Sequence, residues 1–402
     1  IVFVPAGEYV IDGHLDLDAG VELRGVSGGR QQANSDTTLG SLILINNSGE
    51  SETGTPFIMM GDYSGARGMS FHYLDQDVVT FVPHPWMIQG NGVKNYIIDC
   101  FASNPYQAAE LNGDDHLVEY TFFGGIRATY RANNCSGGRI QNCHIKPDFW
   151  RNVEIGNYPE NLTQVHETKW RQTQRIEVFH LSGCDDYSIS SIFNHASHKF
   201  MTVDDSSGQT LMISAEQVQK GYTILNGTKT FNFLNSSCNI NSIGDYSGSY
   251  GIKTEPGFKG NARFYTSSLW GTSDSTWDAS DGKLYLQQCY VAGPSNRGCI
   301  NFRCRPGGNI MVQSGNAEMR LGLENEGVFT MRNFDFRQGC VFSATPDYVD
   351  NNLLDETYIV ADINQDPALD YGIALDTNNI VMEDAMIMSG SDPDGLNDQR
   401  RV

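Results

Sequence analysis

The chain is poor in positive charge. Lys and Arg number 27 against 48 Asp and Glu, a formal net charge of −21. Such a surface repels phosphate backbones and excludes nucleic acid as a partner. It also disfavours polyuronates and sulfated glycans, unless a Lys/Arg patch or calcium reverses the sign locally. No run of eighteen or more apolar residues occurs, so no membrane-spanning helix is encoded. The nine cysteines include no C-x₂-C pair, which removes the common zinc sites. A P-loop, a G-x-G-x-x-G after a strand, G-x-S-x-G and H-E-x-x-H are all missing, so nucleotide-binding, hydrolase-elbow and zincin chemistry lapse. Charged residues are scarce overall at 19%, too few for a disordered chain.

What is present starts in residues 1–30. Ile1-Val2-Phe3-Val4, Tyr9-Val10-Ile11, Leu15-Asp16-Leu17 and Val21-Glu22-Leu23 are short apolar alternations divided by Pro5-Ala6-Gly7, Asp12-Gly13 and Asp18-Ala19-Gly20. Period-two alternation predicts strands, and Gly with Asp predicts tight bends between them. Strands this short bury enough surface only when each group is one coil stacked on the next. Ile1 opens directly on a strand with no preceding cap, which predicts that the chain is part of a longer product.

Val2-Phe3-Val4-Pro5-Ala6-Gly7-Glu8-Tyr9 followed by Val21-Glu22-Leu23-Arg24-Gly25 resembles the first coils of the pectate-lyase superfamily, which includes the polygalacturonases. The resemblance implies an all-β fold, a single-stranded right-handed parallel β-helix, and says little about the reaction. A recurring step supports the solenoid over a β-sandwich: one apolar residue, four mixed residues, another apolar residue. It is seen from Val118 to Phe123, Ile140 to Ile145, Phe233 to Cys238, Phe264 to Leu269, Leu284 to Cys289 and Phe329 to Phe334. Residues 1–345 are expected to form the β-helix, with a long loop excursion over 148–175 that is partly helical. Residues 346–402 are strongly acidic and are expected to form terminal coils, a cap, a small β unit or a linker.

Several cysteines fall in strand-like runs, where a coil interior would hold them as small apolar residues. Cys299 with Cys304, or Cys135 with Cys143, are the bridges that proximity in sequence suggests. Five N-x-S/T sequons occur, at Asn46, Asn134, Asn161, Asn226 and Asn235, about the number that this Asn, Ser and Thr content gives by chance.

Candidate chemistry follows from stacking. Residues one coil apart lie about 4.8 Å apart. Asp185-Asp186 and Asp204-Asp205 are nineteen residues apart and are expected on adjacent coils, with His195 and His198 between them. Paired carboxylates are what glycoside hydrolysis requires. The same residues read equally as turn chemistry, Asx side chains bonding their own backbone. In part this resembles the polygalacturonases, whose Asp-Asp pair maps onto either aspartate pair and whose Arg-Ile-Lys maps onto Gly251-Ile252-Lys253. The resemblance implies catalytic roles for Asp185, Asp186, Asp204, Asp205 and Lys253. Two departures stand: no Gly-His-Gly exists, and Gly251 replaces the Arg.

Trp150, Trp170 and Arg171 on the excursion, with His198, are candidate sugar-binding groups, or else the Trp rings simply fold onto the solenoid flank. Arg127 and Arg131 with Asp114-Asp115-His116 supply the parts of a lyase centre without a diagnostic spacing. Asp392-Pro393-Asp394-Gly395-Leu396-Asn397-Asp398 has the D-x-D-G-x-x-D core of a calcium loop, with Asp392, Asp394 and Asp398 as ligands, or is an acidic linker. No cofactor is required, and Ca²⁺ is the ion this loop would take.

The expectation is an extracellular or cell-surface carbohydrate-active protein, a glycoside hydrolase acting on a neutral or weakly acidic polysaccharide. The alternative is a catalytically silent building block of a fibre, spike or sheath, assembled as a homo-oligomer.

Overall fold

The computed structural model describes residues 1–27, 40–47, 51–241, 248–272, 275–292, 300–317, 321–336 and 340–343. It also describes the strands Ile359–Val360, Ile380–Glu383, Met386–Met388 and Gln399–Arg401. Two compact units emerge. Unit 1 comprises Ile1–Thr202, Ser206–Gln209 and Ile213–Ala215. Unit 2 comprises Val203–Asp205, Thr210–Met212 and Glu216–Val402. The expected tail, residues 346–402, lies mostly outside the described residues.

Unit 1 is a parallel β-helix of three sheets, visited in the same order on every coil. Sheet II holds Val2–Phe3, Glu22–Arg24, Gly65–Arg67, Tyr96–Ile98, Leu117–Glu119, Arg139–Gln141 and the start of Tyr187–Asp204, each parallel to the next. Sheet III holds Gly7–Ile11, Ser41–Ile45, Met69–Tyr73, Phe101–Ala102, Phe122–Phe123, His144–Ile145 and then Phe193 and Asn194. Sheet I holds Leu15–Leu17, Ile58–Met60, Trp86–Gly90, Gln107–Leu111, Ala128–Asn133 and Glu177–Ser182.

Why the chain coils is visible at the step from sheet II to sheet III. Ile97, Val118, Ile140 and Ile189 point inward at 0–2% exposure. Two residues later Asp99, Tyr120, Asn142 and Ser191 take φ of 54°, 50°, 56° and 53°, a left-handed kink that ends one strand and aims the next. Five residues after each inward group the next inward group arrives: Ala102, Phe123, Ile145 and Asn194. The five-residue step read from Val118 and Ile140 is therefore this turn. Inside, equivalent positions stack as ladders. Ile88, Ala109, Tyr130 and Phe179 share one register, and the Tyr130 and Phe179 rings lie 5.4 Å apart at 14°.

Unit 2 repeats the parallel pairing, for example Phe231↔Ala262↔Leu284↔Ile310↔Phe329, all buried. Phe233 and Phe264 stack at 4.2 Å with their planes 3° apart, and Trp277 packs edge-on against Phe264. Two antiparallel pairings close the described strands, Cys340–Ser343 with Ile359–Val360 and Met386–Met388 with Gln399–Arg401.

The cysteines sit inside, as expected. Cys100, Cys135, Cys143, Cys184, Cys238, Cys289 and Cys304 are buried, and none of them forms a disulfide. The suggested Cys135–Cys143 bridge is not formed, because a stacked neighbour comes from the adjacent coil, not from nearby sequence; Cys299, of the other suggested bridge, lies outside the described residues. Cys135 Sγ meets Cys184 Sγ at 3.4 Å, 49 residues on.

The excursion contains a 3₁₀ turn, Pro147–Asn152, and helix α1, Leu162–Thr173. Asn161 caps α1, its Oδ1 accepting from the Gln164 amide at 3.0 Å. Burial anchors it. Phe149 and Val153 cover Phe101 and Phe122 on the outer face of sheet III, with ring centroids 5.7 and 6.1 Å apart. Trp150 packs with Val78, Phe81, Tyr106 and Ile126.

Candidate functional site

The 3₁₀ turn is anchored beside sheet I, since Trp150 packs with Tyr106 and Ile126, which lie one and two residues before two of its strands. Sheet I has an outer face of its own. On this face Gln89, Glu110, Arg131 and His180 share one register through four successive strands. Each follows an inward residue of the Ile88 ladder, so alternation turns it outward.

Glu110 is held by amides. Its Oε2 accepts from Gln89 Nε2 at 2.6 Å and its Oε1 from Asn133 Nδ2 at 3.1 Å. A second row runs beside it: Asn133 donates to Asn112 Oδ1 at 2.9 Å, and Asn112 donates to Asn91 Oδ1 at 2.9 Å. The Arg131 guanidinium lies 5.3 Å from the Trp86 ring centre, and its buried Nε has no hydrogen-bond partner among the described residues.

Glu177, which begins the last of these strands, meets His180 Nδ1 at 3.2 Å, Lys199 Nζ at 3.6 Å and the Thr202 hydroxyl. Burial works to raise its pKa. The hydrogen bonds from His180 and Thr202 and the charge of Lys199 outweigh that and hold it down to about 2. As an ionised carboxylate Glu177 can only accept, so it fixes the proton on Nδ1 of His180.

A third group ties the excursion to His195. Lys169 Nζ is 3.1 Å from His195 Nδ1 and 3.8 Å from Asp148 Oδ2, and His195 is 3.8 Å from the same oxygen. Burial lowers the Lys169 pKa, and Asp148 only partly restores it. Burial would raise Asp148, but His195 and Lys169 hold it below the usual carboxylate range.

The sequence candidates fall as follows. Asp185 and Asp186 are exposed turn residues of unit 1. Asp185 Oδ1 accepts from Ser207 Oγ at 2.9 Å, and Asp186 has φ 50°. Asp204 and Asp205 belong to unit 2. Asp204 Oδ1 accepts from Asn226 Nδ2 at 3.0 Å, and Asp205 has φ 39°. Lys253, also in unit 2, pairs with Glu255 at 2.9 Å. His198 is half-buried and engaged.

Trp150 corrects one expectation. It is fully buried, so no ring face is open to a sugar, and the apolar cluster that anchors the excursion is the reason. Arg171 serves that anchoring too, donating to Val78 O at 2.9 Å. The Trp170 side chain and the loop of Asp392, Asp394 and Asp398 lie outside the described residues. Among the described residues no cluster of three or more His, Cys, Asp or Glu is placed to hold a metal ion.

Of the lyase parts, Arg131 stands in the polar column. His116 is buried between Gly113 O and Tyr187 Oη, each at 2.7 Å.

Glu110, Glu177, His180 and Lys199 were missed. Their only sequence signal is register, and the excursion breaks it. Glu110 and Arg131 are 21 residues apart, whereas Arg131 and His180 are 49 apart.

No known protein family matches the sequence, and no curated protein is similar to it. Solved structures are similar in part. The catalytic domain of a GH87 alpha-1,3-glucanase in complex with nigerose is 9% identical over 83% of this chain, with a TM-score of 0.43. This chain spans 60% of that domain's length. DFA-IIIase from Arthrobacter chlorophenolicus A6 is 9% identical over 98% of this chain and 86% of its own, with a TM-score of 0.45. The tailspike protein gp49 of Acinetobacter baumannii bacteriophage Fri1, a capsular polysaccharide depolymerase, is 10% identical over 84% of this chain and 62% of its own, with a TM-score of 0.33.

Proposed function

We propose that this chain is a carbohydrate-acting protein that lays a neutral or weakly acidic polysaccharide along the outer face of sheet I in unit 1. The observation that carries the reading is the column Gln89–Glu110–Arg131–His180, four hydrogen-bonding side chains in register on one face. A coil advances about 4.8 Å, so the column offers acceptors and donors along a line. Sugar hydroxyls, which both donate and accept, suit such a line. Arg131, with its unpartnered Nε, is the cation of the row.

Hydrolysis is the reaction class we assign. It needs a base and an acid on opposite sides of the bond. Glu110 is the base. His180, oriented from behind by Glu177, is the proton donor, with Nε2 as the transferring atom. Two coils separate these residues, about 10 Å between backbones. Their side chains can close that to the span of about 6.5–9.5 Å that an inverting reaction uses. Glu177 is too acidic to be the acid and acts as the positioning group of His180. The aspartate pairs keep the turn role.

The test is a screen of soluble polysaccharides for new reducing ends and for unsaturated uronates. Wild type would be run beside Glu110→Gln, His180→Gln and Asp204→Asn. New reducing ends that fall at least about 100-fold in the first two variants and persist in Asp204→Asn support the reading. Loss in Asp204→Asn alone returns the chemistry to the aspartate pairs. Unsaturated products would make the enzyme a lyase. Silence across a broad panel, with the column variants unchanged in glycan binding, would leave the chain a structural module.

A further inference from the structure

We propose a second ligand site in unit 1, on the outer face of sheet II, that binds an anionic sugar residue. The site is a cleft of about 470 Å³ whose lining includes Glu22, Arg67, Lys94, Tyr96, Asp115 and Arg139. That volume is within the ordinary range for a small-ligand pocket.

The floor is aromatic and preformed. The Tyr96 ring lies directly over Gly65: a Cβ on that glycine would sit 2.5 to 2.6 Å from ring carbons and from the Tyr96 carbonyl. Its hydroxyl donates to Glu22 Oε2 at 2.8 Å, which pins the ring in place. Leu117, next to Tyr96 in register, and Ile98 extend the apolar surface.

The rim is cationic. Glu22 is already compensated, in contact with Arg24 and 3.5 Å from Arg67. Burial acts to raise its pKa, but hydrogen bonds from Arg24 and Tyr96 keep it below its ordinary value, so it stays a paired anion. Lys94 and Arg139 are exposed, and no carboxylate pairs with either among the described residues. Lys94 Nζ rests 5.7 Å from the Tyr63 ring centre. Arg139 follows Leu117 in the same register column. Asp115 is the one acidic group in the lining beside Glu22.

Three lining cations against two carboxylates make a locally positive cleft on a chain of net charge −21. That is the reversal an acidic surface needs before an anionic glycan can approach. A free inorganic anion would leave the aromatic floor unused. A nucleic acid would meet the repulsion of the remaining surface. A sugar ring carrying a carboxylate uses both parts, its C–H face on Tyr96 and its charge between Lys94 and Arg139. The site does not depend on the outer face of sheet I.

Titration calorimetry of the full chain at low ionic strength tests it. The probes are a hyaluronan tetrasaccharide, which bears glucuronate, and the same tetrasaccharide with its carboxyl groups reduced. We expect the charged probe to bind, and the reduced one at least tenfold more weakly. Lys94→Ala with Arg139→Ala should weaken the charged probe at least tenfold. Tyr96→Leu, which removes the aromatic face but leaves both cations, should also weaken it, with far-UV circular dichroism checking the fold. Equal binding of both probes, or competition by inorganic sulfate at concentrations equimolar with the sugar, overturns the proposal. So does binding lost in Glu110→Gln but kept in the Lys94/Arg139 variant, which would place the ligand on the outer face of sheet I.

Discussion

Sheets I and III of unit 1 share the same coils and the same spacing, yet their outer faces carry opposite kinds of group, and Glu110 is buried among polar neighbours as Phe101 is among rings. On sheet III the outward column reads Phe101, Phe122, His144, Phe193. Phe149 and Val153 cover its first two members, and Lys146 Nζ sits 4.8 Å over the ring of Phe193. On sheet I the outward column reads Gln89, Glu110, Arg131, His180, with amides and ions for neighbours. The backbone is indifferent to the choice. What differs is the free energy of the outward groups: aromatic rings gain by being covered, whereas ionised and amide groups lose unless every one finds a partner. The excursion therefore folds down on sheet III.

The largest expected effect comes from uncovering sheet III. Phe149 is 2% exposed among Phe101, Phe122 and Val153. Phe149→Ala should cost about 3–5 kcal/mol, the transfer of the ring plus the cavity it leaves. Thermal unfolding followed by circular dichroism measures it, and earlier proteolysis within residues 147–175 should accompany it. A loss below about 1 kcal/mol would mean that the excursion is held by something other than this apolar seam.

This comparison also explains what the sequence made legible. The inward ladders repeat with the local turn, so Val118 to Phe123 and Ile140 to Ile145 announce the solenoid without knowledge of what stacks on what. The fate of an outward residue depends on the coil above and below it, and there the spacing fails. The excursion inserts between Ile145 and Glu177, so no fixed interval links Arg131 to His180. Nineteen residues between Asp185 and Asp204 looked like one coil, whereas the partners they meet, Ser207 and Asn226, each lie 22 residues on. Trp150 looked like a sugar platform because it sits on a loop beside cations. Its ring is the anchor of that loop instead.

A middle-sized effect tests the charged side of the comparison. Glu177 titrates near 2 in the folded chain against an ordinary value of 4.5. Its pKa is depressed by folding, so the stability it contributes is fully present above about pH 4.5 and is lost as pH falls towards 2. The depression corresponds to at most about 3 kcal/mol, which is an upper limit because Lys199 remains partly exposed. Between pH 5 and 2.5 the wild type should lose more stability than Glu177→Gln does. Parallel curves for the two proteins would show that the His180, Thr202 and Lys199 contacts carry no net coupling to folding.

The smallest effect on stability belongs to Glu110→Gln, and its smallness is the point. The substituted amide keeps one oxygen to accept from Gln89 or Asn133, and no cation is left stranded, since neither contact of Glu110 is an ion pair. Chemical denaturation should place the change within about 1 kcal/mol of wild type. The same substitution should remove the polysaccharide-degrading activity assigned to this column. Phe149→Ala should do the reverse, costing much stability while leaving per-molecule turnover of the still-folded fraction within a few-fold. If Glu110→Gln instead unfolds the coil as Phe149→Ala does, the amide and carboxylate ladder is scaffold, and the two faces differ only in how each is packed.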